Sequence, residues 1–158
     1  MLIPVQIPAA GSRVRTTSLH GSADALVLAQ LARARRPLAV ITATAQDGQR
    51  LLEEIPFFDK DLKVHLLPDW ETLPYDPLSP HQDLVSERLA TLYQLTQRAF
   101  DVAIVPVTTA LYRLAPVEYL AARSFHFLQG SRLAPHELRA QLVTAGYTHV
   151  TQVVAPGE

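Results

Sequence analysis

Residues 37–55 read PLAVITATAQDGQRLLEEI. The run to Thr44 is apolar and β-branched, of strand length, and so few polar interruptions suit a strand covered on both faces, as in a parallel sheet. At Thr44 the pattern changes. A hydroxyl there and a carboxylate at Asp47, three residues on, give a capping signal for a helix through QRLLEEI, with Pro56 expected to end it.

Outward from this strand–helix pair the alternation continues. Ser22 is placed to cap a helix over ADALVLAQLARARR, with Ala25, Leu28, Leu31 and Ala32 at helical spacing. Residues 1–17 carry scattered Pro, Gly and Arg and read as an irregular lead-in. Downstream, KVHLLP (63–68) is a short strand. Ser79, Pro80 and Gln82 then form a capping-box pattern with proline at the first helical position. The helix expected there puts Val85, Leu89 and Leu92 on one stripe with Tyr93 beside it. DVAIVPVTT, from Asp101, is a second buried-strand run, and TALYRLAP reads as a short helix stopped by Pro116. Such an order predicts an α/β fold over 18–122: a parallel sheet with right-handed crossovers and helices on both faces.

After about residue 122 the pattern shifts. RSFHFLQ alternates as a half-exposed strand, PHELRAQLVTAGY makes a helix with Gly146 as C-cap, and THVTQVV is a strand ending almost at the last residue. Residues 123–158 are therefore expected to open a small α+β domain.

Composition narrows the function classes. Lys and Arg total 14 against 15 Asp and Glu, so there is no overall basic excess of the kind nucleic-acid or anionic-membrane binding favours. The densest cluster, Arg33, Arg35 and Arg36, falls where a helix ends and suits its dipole. Without cysteine there are no disulfides, thiolate metal sites or cysteine nucleophiles. The amino terminus lacks a signal-peptide pattern, and no apolar run approaches the roughly 20 residues that span a bilayer. A cytoplasmic protein is expected.

An α/β sheet invites a search for a phosphate loop, and SLHGSADALVL (18–28) lies where the first helix begins. A working loop has the form GxxxxGK[ST]: glycines let backbone N–H groups wrap the phosphates, lysine neutralises them and a hydroxyl holds magnesium. Here Ser18 stands at the first glycine, Ala23 at the second, Asp24 at the lysine and Ala25 at the hydroxyl; Gly21 lies between. The charge is reversed. Like unit charges about 4 Å apart repel by roughly 4 kcal/mol at an effective dielectric of 20, about a thousandfold in affinity. The turn is thus expected to bind no nucleotide, and no catalytic, cofactor or metal residue is assigned.

The loop PDWETLPYDPLSPHQD (68–83) concentrates Asp69, Glu71, Asp76 and Asp83. Gathered carboxylates serve as acid and base or hold a divalent ion. Against that, the segment has no glycine for an EF-hand, and no histidine pairs with His81 at helical spacing. Prolines 68, 74, 77 and 80 stiffen it, Trp70, Leu73 and Tyr75 offer apolar anchors, and Asp83 suits the start of the following helix. A rigid connection is the preferred reading; an enzyme using these carboxylates and a direct DNA-binding module are the alternatives. No HExxH or GxSxG occurs, and His65 and His126 fall in strand candidates.

LPDWETLPYDPLSPHQDLVSERLATLYQL (67–95), followed in order by DVAIVPVTTALYRLAP and GSRLAPHELRAQLVTAGYTHVTQVVAPGE, resembles the amino-terminal, UvrB-like region of bacterial transcription-repair coupling factors. Its signature residues are Trp70, Tyr75, Asp76, His81, Asp83 and Arg88. The resemblance implies a degenerate helicase-type, P-loop-NTPase-like domain. It also implies a parent that uses ATP and magnesium in other domains to translocate on DNA, displaces stalled RNA polymerase and recruits excision repair through UvrA. It implies that this region needs no cofactor and lacks the DNA-inserting hairpin of UvrB. The segment from 123 is similar to the UvrA-docking domain, whose contact segment would follow Gly157 and Glu158. No UvrA-contact residue is assigned, and the chain is expected to be a piece of a longer protein, its second domain truncated and its last strand left with an exposed edge able to pair with another copy.

Overall fold

The computed structural model describes residues 7–16, 18–70, 72, 75, 77, 79–123, 125, 127 and 129–153. Strands β1 (Leu38–Thr42), β2 (Val64–Leu66) and β3 (Val102–Pro106) form a parallel sheet in the order β1-β3-β2. Helix α1 (Ala23–Ala34) precedes β1, α2 (Ala45–Phe58) links β1 to β2, and α3 (Gln82–Thr96) links β2 to β3. Helices α4 (Val107–Ala110), α5 (Val117–Arg123) and α6 (Pro135–Thr144) follow. The α/β expectation holds. Among the described residues no helix is long and apolar enough to cross a membrane.

Register explains the core. Ile104 pairs with Val40 on one side and Leu66 on the other, and Val102 with Leu38 and Val64. Side chains alternate across a strand, so these residues share a face. Ile104 and Val102, both fully buried, pack there with Ala25, Ala29 and Ala32 of α1 and with Leu51 and Ile55 of α2. The small alanines let α1 approach closely. The opposite face is closed by Leu67, Leu92 and Leu120, with Leu95 and Val105 against them. The amino ends of the strands meet at Asp101: its carbonyl accepts from Leu38 N at 2.8 Å, its N–H donates to Lys63 O at 2.9 Å, and its carboxylate accepts from Lys63 N and Arg36 Nη1.

Several expectations are corrected. The run beginning at Leu38 is not covered on both faces: β1 is an edge strand, and Ala39 and Ile41 are exposed because the helices of the second face pack under β2 and β3. Only β3 fits the doubly covered reading. Thr44 caps α2 as expected, accepting from Asp47 N at 3.0 Å and donating to its Oδ2 at 2.7 Å. Pro56 does not end that helix, which runs to Phe58. A proline in the final turn removes one hydrogen bond and has little helix left to disrupt.

Ser22 occupies the N-cap of α1 without a side-chain bond. The cap of α3 is His81, whose Nδ1 accepts from Asp83 N at 3.3 Å, so the helix starts later than the Ser79–Pro80 pattern suggests. The stripe of α3 also differs: Leu92 is buried and Leu89 exposed, while Arg88 is buried at 2% exposure. Helicity after β3 stops at Ala110, well before Pro116, and α5 begins just beyond that proline. Of the strand expected over 123–129, Ser124, His126 and Leu128 lie outside the described residues; Arg123 ends α5, and Phe125 and Phe127 stack without strand pairing. Of the strand expected over 148–154, Val154 lies outside the described residues, and Thr148–Val153 is not a strand, since no neighbouring strand among the described residues offers it a ladder. Helix α6 forms with Pro135 in its first turn, and Gly146 at φ +96 follows it.

Candidate functional site

The turn before α1 is built around Gly21, whose φ of +59 is the left-handed conformation that glycine adopts without strain. Ser18 and Gly21 are exposed, Ala23 opens the helix and Ala25 is buried beneath it. Where a phosphate would meet the N–H groups of a helix start, the Asp24 carboxylate accepts from Ala25 N at 2.8 Å. Arg50 of α2 donates to both Asp24 oxygens, Nη1 at 3.1 Å and Nη2 at 2.7 Å, and its Nη1 also reaches Glu54 at 2.7 Å. The Arg50 guanidinium, with help from the Ala25 N–H, holds the Asp24 carboxyl below the usual carboxylate range against the opposing effect of burial. The nearby cation is therefore committed to a protein carboxylate. Asp24, singled out in the sequence, falls in the first turn of α1; Arg50 was not singled out, and its only local signal is the Arg50–Glu54 spacing of four.

The second feature is the crevice at the carboxyl ends of the strands, where open parallel sheets place their ligands. Gln46, Gln49, Leu66, Pro68, Asp69 and Pro106 line it. Asp69 accepts from Thr108 Oγ1 at 2.6 Å and from Trp70 N at 2.8 Å. The Thr108 hydroxyl is the main cause of its lowered pKa, which burial opposes. Asp69 thus anchors the exit of β2 to the start of α4.

The remaining loop carboxylates do not join it as far as they are described. Asp83 is exposed beside His81, 3.4 Å away, and Glu71 and Asp76 lie outside the described residues. Among those residues no group of three His, Asp or Glu is arranged to hold a metal. Trp70 is half-buried, with the Arg88 guanidinium 4.2 Å over its ring, and Arg88 Nη1 donates to the Pro68 carbonyl. Tyr75 is 98% exposed and anchors nothing: the loop is fastened at its start, by Asp69, Trp70 and Arg88, and Tyr75 lies beyond their reach in a turn. Leu73 lies outside the described residues. His65 is half-buried in β2, and the basic cluster is partly neutralised, Arg33 by Asp59 and Arg36 by Asp101.

Against models of known protein families the chain has no match. Individual proteins do match. It is 44% identical over 150 residues, 94% of its length, to the transcription-repair-coupling factor of Escherichia coli K12, and 38% identical over 140 residues, 86% of its length, to that of Haemophilus influenzae. The chain belongs to the transcription-repair-coupling factor family. A similar protein of the same name from Mycobacterium bovis is 32% identical over 157 residues. Relative to these proteins the chain is short, spanning 13% of the E. coli and 12% of the H. influenzae factor. The family name connects it to DNA repair and transcription-coupled repair.

Proposed function

We propose that this chain is a non-catalytic scaffold in the amino-terminal, UvrB-like region of a transcription-repair-coupling factor. In this reading residues 18–122 are a degenerate helicase-type domain and residues 123–158 the opening of the domain that docks UvrA. The parent protein displaces stalled RNA polymerase and recruits excision repair, with ATP and magnesium used in its other domains. One observation carries the non-catalytic part: the Asp24 carboxylate lies against the start of α1 and Arg50 is bound to it. A nucleotide triphosphate would have to displace that carboxylate and then sit beside it.

Two measurements test the reading. Calorimetry with ATP and magnesium is expected to show no binding at micromolar concentration, and micromolar, magnesium-dependent binding would overturn the scaffold. For the adaptor role, immobilised UvrA is presented with this chain and with a version extended by about one domain of ~100 residues. The longer protein is expected to bind and the shorter to bind weakly or not at all; failure of both would remove the UvrA proposal.

A further inference from the structure

Arg88 is the most deeply buried cation among the described residues, and its environment is incomplete. Its side chain projects from α3 into the interior with 2% exposure, its Nη1 satisfied by Pro68 O and its face by Trp70. Its Nε is buried with no hydrogen-bond partner. No carboxylate among the described residues forms an ion pair with it, and Asp69, the acid that acts on it from nearby, is already engaged by Thr108 and Trp70 N. A guanidinium is charged at any physiological pH, so this is a desolvated cation with no ion-pair partner among the described residues.

Beside it lies a cavity of about 130 Å³ whose wall includes Trp70, Val85, Arg88, Leu89, Arg113 and Leu114; among the described residues no acidic one lines it. Arg113 is exposed. Of the cavity's lining residues Leu89 is 45% and Leu114 50% exposed, so apolar surface reaches the solvent there. We propose that this cavity is a docking site for an acidic side chain of a protein segment, an Asp or Glu flanked by aliphatic residues, received between Arg88 in the wall and Arg113 at the mouth. The size of the cavity fits one side chain, and the exposed leucines give the flanking residues a surface to cover. A nucleic-acid backbone would find a mostly apolar lining with cations at only two positions. The proposal depends on neither UvrA nor the absence of nucleotide binding at the turn around Gly21.

Trp70 is the chain's only tryptophan, so its emission reports directly on the cavity. The whole chain is titrated with a short capped peptide of leucines and glutamates, with the same peptide carrying glutamine for glutamate, and with free glutarate. The glutamate peptide is expected to shift Trp70 emission saturably, with the glutamine peptide about tenfold weaker or more, as loss of charge-assisted hydrogen bonds implies. Arg113→Gln, an exposed substitution checked for folding by circular dichroism, is expected to weaken binding several-fold. Each of four results would overturn the proposal: no saturable shift, equal affinity for the glutamine peptide, unaltered affinity in Arg113→Gln, or glutarate binding as tightly as the peptide. So would a protein-concentration-dependent Trp70 shift without peptide, matched by dimers in sedimentation, since the occupant would then be a second copy.

Discussion

Asp24 and Arg50 meet through both carboxylate oxygens, at 3.1 and 2.7 Å, across 26 residues of sequence. The contact joins the first turn of α1 to the first half of α2, two helices that cover the same face of the sheet. It is an ion pair that ties the two helices together.

A pH-dependent contribution to stability follows. The Asp24 carboxyl is lowered in the folded chain, chiefly by Arg50. A depressed carboxylate contributes stability that is present above its unfolded pKa, about 3.9, and lost as pH falls through the lower folded value. At neutral pH, Asp24→Asn is expected to cost about 1 kcal/mol, since the pair is partly exposed and screened. Urea denaturation at neutral pH and at progressively lower pH should show the gap between wild type and variant closing in acid. A gap of constant size would show that the ion pair is not its source.

Gly48 sets the distance between α2 and the sheet. A Cβ at this position would meet Leu66 Cδ1 at 3.0 Å, Thr42 Oγ1 at 3.4 Å and Ile104 Cγ2 at 3.5 Å. Alanine gains up to about 1 kcal/mol of helix propensity over glycine, but crowding into a packed core costs roughly 1–3 kcal/mol. Gly48→Ala is expected to be mildly destabilising and Gly48→Val severely so, by about 3 kcal/mol, because branching enlarges the clash. Thermal unfolding of both variants decides it; a valine variant as stable as wild type would mean that α2 can lift from the sheet freely.

Asp69 should respond to loss of the Thr108 hydroxyl. That bond, 2.6 Å long, is the largest cause of the lowered Asp69 pKa. In Thr108→Val the Asp69 carboxyl is expected to titrate closer to its ordinary value. The stability linked to it would then disappear at higher pH than in wild type, since less depression remains to hold the charged form as acid is added. Carboxyl-carbon NMR titration of both proteins measures the shift directly. An unmoved Asp69 would assign its depression to Trp70 N and the other neighbours instead.

Local chemistry was legible in the sequence where the deciding contacts are local. Thr44 and Asp47 are one helical turn apart and cap α2 as their spacing says, and the uninterrupted apolar run at Val102 marks the central strand. Position within the sheet was not legible: LAVIT and VAIVP look alike, yet one lies at the edge and one in the middle. Competing caps explain the late start of α3, because Ser79 and His81 can each satisfy an early N–H and the structure uses His81. The site is the harder case. Asp24 was visible as a carboxylate where a cation was sought, but its partner lies in another helix, and Arg88 is buried on α3 although the stripe read from the sequence, Val85, Leu89 and Leu92, did not include it.

The burial of Arg88 makes a last prediction that separates packing from charge. Removing a guanidinium from water is unfavourable, and here the return is one hydrogen bond to Pro68 O and the face of Trp70, with Nε left unpaired. Methionine has a similar length and can fill the same channel with a polarisable, uncharged chain. Arg88→Met is therefore expected to keep or raise stability, by between about 0 and 2 kcal/mol, whereas Arg88→Ala should lose about 2–3 kcal/mol by leaving a void under Trp70. Denaturant midpoints at constant m-value measure both, and Trp70 emission checks that the ring has not moved. A methionine variant that falls as far as the alanine one would mean that the cation itself holds the loop, through Pro68, and that its burial needs no external partner to explain it.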